Sequence, residues 1–168
     1  MISRNIFADI LWAILLVMFQ VIVLNRIIIL DKYTPVLYPI FILFYPFFRN
    51  RYVFLALSFI LGLAVDINLG TWGINALACT TIAFFRTIIF RTSTDTTTDF
   101  FSFQSLQWSQ FIIFIIFSIF IHQLIVQYLE FFKLSRFFEI FLNVLATTGI
   151  SFIFIILFAI AFKIKEKV

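Results

Sequence analysis

Apolar residues fall along this chain in long blocks, and polar residues come in short clusters between them. The first block covers about residues 6–24 and ends at Asn25-Arg26. Asp31-Lys32-Tyr33-Thr34 separates it from a second block, about 35–48, which Arg49-Asn50-Arg51 closes. A third block covers about 52–69. After Gly70-Thr71-Trp72-Gly73 the fourth follows at once, about 74–90, so these two predict a tight antiparallel helical hairpin. A long polar stretch at about 91–109 precedes a fifth block at 110–129. A short charged turn then leads to a sixth at 140–162.

A helix that crosses a bilayer needs about 20 mostly apolar residues. The blocks therefore predict an all-α integral membrane protein, a single multi-pass domain over 1–168 with six transmembrane helices. The second block is short and carries Pro35, Pro39 and Pro46. Proline removes a backbone donor and disfavours helix in the residue before it, so this segment is expected to be kinked or broken. With that segment re-entrant, five crossings is the alternative. The second half of the 91–109 linker, with Phe100, Phe101, Phe103, Leu106 and Trp108, is expected to lie flat at the membrane interface.

Composition sharpens this picture. The chain is 64% hydrophobic and 12% charged, with a mean hydropathy of +1.15. Soluble domains are about a quarter charged, so a water-soluble fold is excluded. The net charge of +4 comes from basic residues scattered at the ends of apolar blocks, which fits membrane orientation and not a nucleic-acid footprint. In the six-helix arrangement one side holds Arg4, Arg49, Arg51, Arg86, Arg91, Lys163, Lys165 and Lys167, and the other Arg26, Lys32, Lys133 and Arg136. Cytoplasmic loops carry the excess of Lys and Arg, so both termini are expected in the cytoplasm. Asp9 interrupts the first block and no small-residue cleavage pattern follows, which predicts a retained helix and not a signal peptide. The single Cys79 lies in an apolar run and reads as a packing residue.

Polar residues inside the blocks mark the candidate sites. Ser58, Gly62, Asp66 and Gly70 fall four apart on one helix face, a stripe of small residues with one carboxylate in it. A carboxylate at membrane depth needs a partner in the protein or in a water-filled cavity. Three readings follow for Asp66: a structural carboxylate bonded to the tight turn or to Asn75, a contact to a partner subunit's helix, or part of an ion or proton relay. Gln123, Gln127 and Glu130 share a face of the fifth helix beside His122. No second His or Cys stands at ligand spacing, so His122 is assigned no metal. Asp9 and Gln20 are expected to face the bundle interior. Arg86 and Arg91 are expected to snorkel to the cytoplasmic surface. The chain carries no phosphate-cradling glycine loop, nucleophile motif or metalloprotease spacing, which argues against a self-sufficient enzyme.

The run Gly62-Leu-Ala-Val-Asp66, followed by Gly70-Thr71-x-Gly73-x-Asn75-Ala76, resembles the G-x-x-x-D plus G-x-x-A signature of MreD, a small bacterial rod-shape-determining membrane protein. Gln20-Val-Ile-Val-Leu-Asn25-Arg26, Pro35, Pro39 and Arg86 are also similar to MreD sequences, notably those of Bacteroidetes. Relatives often carry His where this chain has Asn75. The resemblance covers the first half of the chain. It implies a helix arrangement similar to the substrate-binding subunits of energy-coupling-factor transporters. It also implies a non-enzymatic scaffold in the bacterial cytoplasmic membrane, without cofactor, that links an MreC-like protein and, indirectly, MreB filaments to RodA and a penicillin-binding transpeptidase in peptidoglycan synthesis.

Two other functions compete with that scaffold. In a solute-binding subunit of an energy-coupling-factor-type transporter, Asp66, Asn68, Trp72 and Asn75 would line an outward pocket. In a lipid-handling protein, an interhelical groove would hold a lipid-linked precursor. For the scaffold, Ser58, Gly62, Asp66, Gly70, Gly73 and Asn75 are the candidate helix-packing or partner-binding residues, with Gln20, Gln123 and Gln127 as polar interior.

Overall fold

The computed structural model describes residues 3–46, 50–91, 107–131 and 137–162. These form six α-helices: α1 (Ser3–Ile22), α2 (Ile40–Phe44), α3 (Arg51–Leu69), α4 (Ile74–Arg91), α5 (Trp108–Phe131) and α6 (Phe137–Ala161). Four stretches, Ile6–Arg26, Arg51–Leu69, Trp108–Phe131 and Phe137–Ala161, are long and apolar enough to cross a membrane. The apolar run of α4, Ile74–Ile89, is shorter. Across its described residues the protein is thus an all-helical membrane protein with four helices of spanning length. The expected 91–109 linker, apart from Arg91 and its last three residues, and the tail from Lys163 onward lie outside the described residues.

The second block departs from a helix over 35–48. Only Ile40–Phe44 is helical, and residues 34–37 have no regular structure. Pro39 stands at the N-cap of α2, and Tyr45, in extended conformation ahead of Pro46, ends it, as the residue before a proline is biased to do. Before it, a tight turn holds Leu30 and Asp31 at positive φ between bridged Ile29 and Tyr33.

This broken segment is the wedge of the bundle. Phe41, Ile42 and Tyr45 pack into one core cluster with Leu16 of α1, Leu57 and Leu61 of α3, and Cys79 and Ile82 of α4. Leu37, Ile40 and Leu43 pack into a second with Phe111, Ile115 and Ile119 of α5 and Ile155 of α6. Its two faces therefore bind the two halves of the molecule together. It also runs the depth of the bundle. Pro35 and Leu37 bond to Gln20 near the end of α1, whereas the Tyr45 hydroxyl donates to Asp9 near the start. Those two positions lie about 16 Å apart along a helix.

Irregular backbone at membrane depth is tolerated only where the protein itself satisfies the peptide groups. Here side chains from neighbouring helices do so. Gln20 Nε2 donates to the Pro35 carbonyl at 3.0 Å, and Gln20 Oε1 accepts from the Leu37 N–H at 2.8 Å. Ser151 Oγ of α6 accepts from the Val36 N–H at 2.9 Å. At the far end the Arg86 guanidinium donates to the Tyr45 carbonyl and sits 4.9 Å over the Phe54 ring. Arg86 is therefore not a snorkelling anchor; it is 3% exposed and turned inward. A peptide carbonyl together with an aromatic face gives the guanidinium an interior site.

Replacing Gln20 with leucine keeps α1 apolar but strands one carbonyl and one N–H inside the bundle. The Gln20→Leu variant is expected to lose about 1–3 kcal/mol of stability, read as a lowered thermal unfolding midpoint. Met18→Leu, on the outer face of α1, is expected to change stability by less than about 0.5 kcal/mol.

Candidate functional site

The hairpin between α3 and α4 is closed by the polar residues that mark it in the sequence. Gly70 ends α3 at φ 70°, and both its N–H and that of Thr71 bond back to the Asp66 carbonyl. Gly73 follows at φ 81°. Side chains with a Cβ pay about 1–2 kcal/mol in this left-handed region, which is why glycine serves at both places. The turn folds α4 onto α3 so closely that a Cβ on Gly62 would sit 2.5 Å from the Ala76 Cα and the Asn75 carbonyl oxygen. Gly62 is thus the contact point of the two backbones.

Asp66, 1% exposed, lies beneath the first turn of α4. Its Oδ1 accepts from the Asn75 N–H at 3.0 Å, from Asn75 Nδ2 at 2.9 Å and from the Thr71 hydroxyl at 2.5 Å. Its Oδ2 accepts from the Ala76 N–H at 2.8 Å. The first N–H groups of a helix lack intrahelical acceptors, and the helix dipole favours negative charge there. The carboxylate of α3 therefore caps α4 from outside. This is the structural reading of Asp66, with the tight turn and Asn75 as its partners. Ser58, fully buried, donates to the carbonyl of Phe54 in its own helix. Gly62 and Asp66 are thus occupied by α4 of the same chain and Ser58 is buried beside them, so this face is not open to a partner subunit's helix.

From Asp66 a chain of hydrogen bonds crosses the bundle, and its direction follows from the donors. Both Asp66 oxygens already accept backbone N–H groups, so the Asn75 amide turns its NH2 toward them and its Oδ1 away. That Oδ1 accepts the Tyr38 hydroxyl proton at 2.6 Å. With its proton committed, the Tyr38 oxygen accepts from His122 Nε2 at 2.9 Å. In its neutral form His122 is thereby the Nε2–H tautomer, with Nδ1 left as an acceptor. Cys79 Sγ approaches the same ring nitrogen at 3.9 Å. Asn75 rules out a simple proton wire along this chain, because an amide neither takes up nor releases a proton near neutral pH.

Tyr38 and Ser151 carry two of these interior contacts, and sequence reasoning missed both. For Ser151 a signal existed: Asn143, Thr147 and Ser151 recur every four residues along α6 and define one polar face. Asn143 accepts from the Tyr33 hydroxyl at 3.4 Å, and Thr147 accepts from Gln127 Nε2 at 3.2 Å. Asn68 and Trp72 do not join the site. Asn68 is exposed and donates to the Ala64 carbonyl, and Trp72 is 98% exposed at the turn.

At the end of the bundle formed by the close of α1, the α3–α4 turn, the close of α5 and the start of α6, a cavity of about 450 Å³ opens. Gln20, Tyr38, Asn75, His122, Gln123 and Gln127 contribute to its wall, with Lys32 and Glu130, both exposed, among its other lining residues. The three polar interior residues expected from sequence thus meet here. Asp66 lies outside the lining. His122 Nδ1, Gln123 Nε2 and Gln127 Oε1 are buried without a hydrogen-bond partner among the described residues.

Compared with known protein families, with curated proteins and with solved structures, the chain has no match.

Gly62→Ala is expected to push α3 and α4 apart and cost about 1–3 kcal/mol. Asp66→Leu strands several buried donors and is expected to cost more than about 2 kcal/mol; unchanged stability in thermal unfolding would overturn the cap for Asp66→Leu and the close backbone contact for Gly62→Ala. Nitrogen NMR on the single histidine is expected to show Nε2 protonated and Nδ1 bare. Tyr38→Phe should erase that tautomer preference.

Proposed function

We propose that the chain is a member of the MreD family: a non-enzymatic scaffold of the cell-elongation complex in the bacterial cytoplasmic membrane. The observation that carries this reading is the lock between α3 and α4. Gly62, Asp66, Gly70, Gly73, Asn75 and Ala76, the residues of the resemblance, each have a defined task in one structural device. A signature that coincides with a fold-determining contact is what a shared architecture requires.

On this reading the chain passes the membrane six times with both termini in the cytoplasm. The broken segment through α2 and the shorter α4 supply the two passes beyond the four long helices, in an arrangement similar to the substrate-binding subunits of energy-coupling-factor transporters. The partners are an MreC-like protein, RodA and a penicillin-binding transpeptidase, with MreB engaged indirectly. Because α4 covers the Ser58 to Asp66 face, partner helices meet the outer faces of the bundle. The first such face is on α1, whose apolar window is the least buried of the four.

The cavity favours a second reading, a solute-binding subunit of an energy-coupling-factor-type transporter. Crosslinking in native membranes separates the two. With photoreactive groups at Leu11, Leu15 and Met18, which face outward from α1, the scaffold reading expects adducts with an MreC-like protein or the wall-synthesis enzymes, above an unrelated membrane-protein control. Adducts instead with a transmembrane coupling subunit and its ATPase would overturn it in favour of the transporter.

A further inference from the structure

Three buried polar atoms, on residues that line the cavity, have no hydrogen-bond partner among the described residues, although burying an unpaired polar group costs about 1–3 kcal/mol each. They are Gln123 Nε2, a donor, Gln127 Oε1, an acceptor, and His122 Nδ1, made an acceptor by the bond its other nitrogen gives to Tyr38. All three side chains are at least nine-tenths buried. Gln127 is held in place by its bond to Thr147 and His122 by its bond to Tyr38, so the groups are positioned and yet unused.

The mixture of donor and acceptors selects among ligand classes. A carboxylate or phosphate would satisfy Gln123 and face two acceptors it cannot bond. An ammonium would satisfy the acceptors and leave Gln123 Nε2 unpaired. The charged residues of the lining are Lys32 and Glu130, exposed and of opposite sign, so the wall offers an ionic ligand no net counter-charge. Neighbouring hydroxyl groups, each able to donate and to accept, match all three atoms. A volume of about 450 Å³ lies within the range of small-molecule sites, about 300–1,000 Å³.

We propose that this cavity binds an uncharged polyhydroxylated ligand, a sugar ring or the glycosyl head of a lipid, through Gln123, Gln127 and His122. The site belongs to the chain itself and stands whether the protein serves as scaffold or as solute-binding subunit; its test requires no partner.

The full chain in lipid nanodiscs free of sugar detergents is heated with methyl glucoside in solution or dodecyl glucoside in the bilayer. Controls are betaine, glutamate and dodecyl dimethylamine oxide. Near saturation a glucoside is expected to raise the unfolding midpoint by about 5 °C while the controls do not. A response to methyl glucoside identifies a free solute, and a response to dodecyl glucoside alone identifies a lipid-linked sugar. Gln123→Leu and Gln123→Met are expected to keep or raise the unliganded midpoint, since the lost Nε2 had no protein partner, and to abolish the response. Glucosides that stabilise no more than the controls would overturn the proposal and leave the cavity to water. So would a glucoside response that persists in both variants.

Discussion

A peptide group surrounded by hydrocarbon has no water to bond, and in this protein that constraint falls on the segment between α1 and α3. Its prolines forbid a continuous helix, yet it runs through the centre of the bundle with its side chains in both core clusters. The polar residues placed in apolar helices are largely the answer to that problem. Gln20 bonds Pro35 and Leu37, Ser151 bonds Val36, and Arg86 bonds the Tyr45 carbonyl. An unbroken helix would satisfy its own backbone and leave these side chains without purpose. The break in one segment and the polar positions in three others are a single design, written in four separate parts of the chain.

That distribution explains what was legible in the sequence. The bounds of α1, α3, α4, α5 and α6 follow from apolar run length, which is a local property. The break at Pro35 and Pro39 is also local. Gly70 and Gly73 announce a turn, and with so short a connection α4 had to return along α3, so the packing partner of the Ser58 and Gly62 face was within reach of inference. The direction of Arg86 was not. A long cationic side chain near a helix end can reach water or an interior carbonyl, and the choice depends on Tyr45, forty-one residues away. Tyr38 was invisible for the same reason. One hydroxyl in an apolar run carries no sign that Asn75 lies on one side and His122 on the other.

Asn75 serves partners on two sides at once. Its backbone and side chain both serve Asp66, and its carbonyl oxygen orders Tyr38. A histidine at this position could also place a donor toward a carboxylate and an acceptor toward a hydroxyl. The capping of α4 is therefore compatible with either residue. What changes is the middle of the chain of hydrogen bonds, since an imidazole can exchange a proton and an amide cannot.

The two ends of the bundle differ in how their polar groups are settled. At one end the Tyr45 hydroxyl and carbonyl meet Asp9 and Arg86, and the Arg86 guanidinium rests on Phe54. At the other, the hydrogen-bond chain from Asp66 terminates at His122 with an acceptor to spare, beside two glutamines that each leave an atom unpaired. If stability alone governed this wall, leucine at position 123 would remove a buried penalty at no loss of protein contact. Glutamine there is locally inconsistent with the packing around it, and such inconsistency marks a place where something other than the fold sets the residue. Because Tyr38 and Asn75 belong both to this wall and to the bonds reaching Asp66, whatever fills the cavity also bears on the lock between α3 and α4.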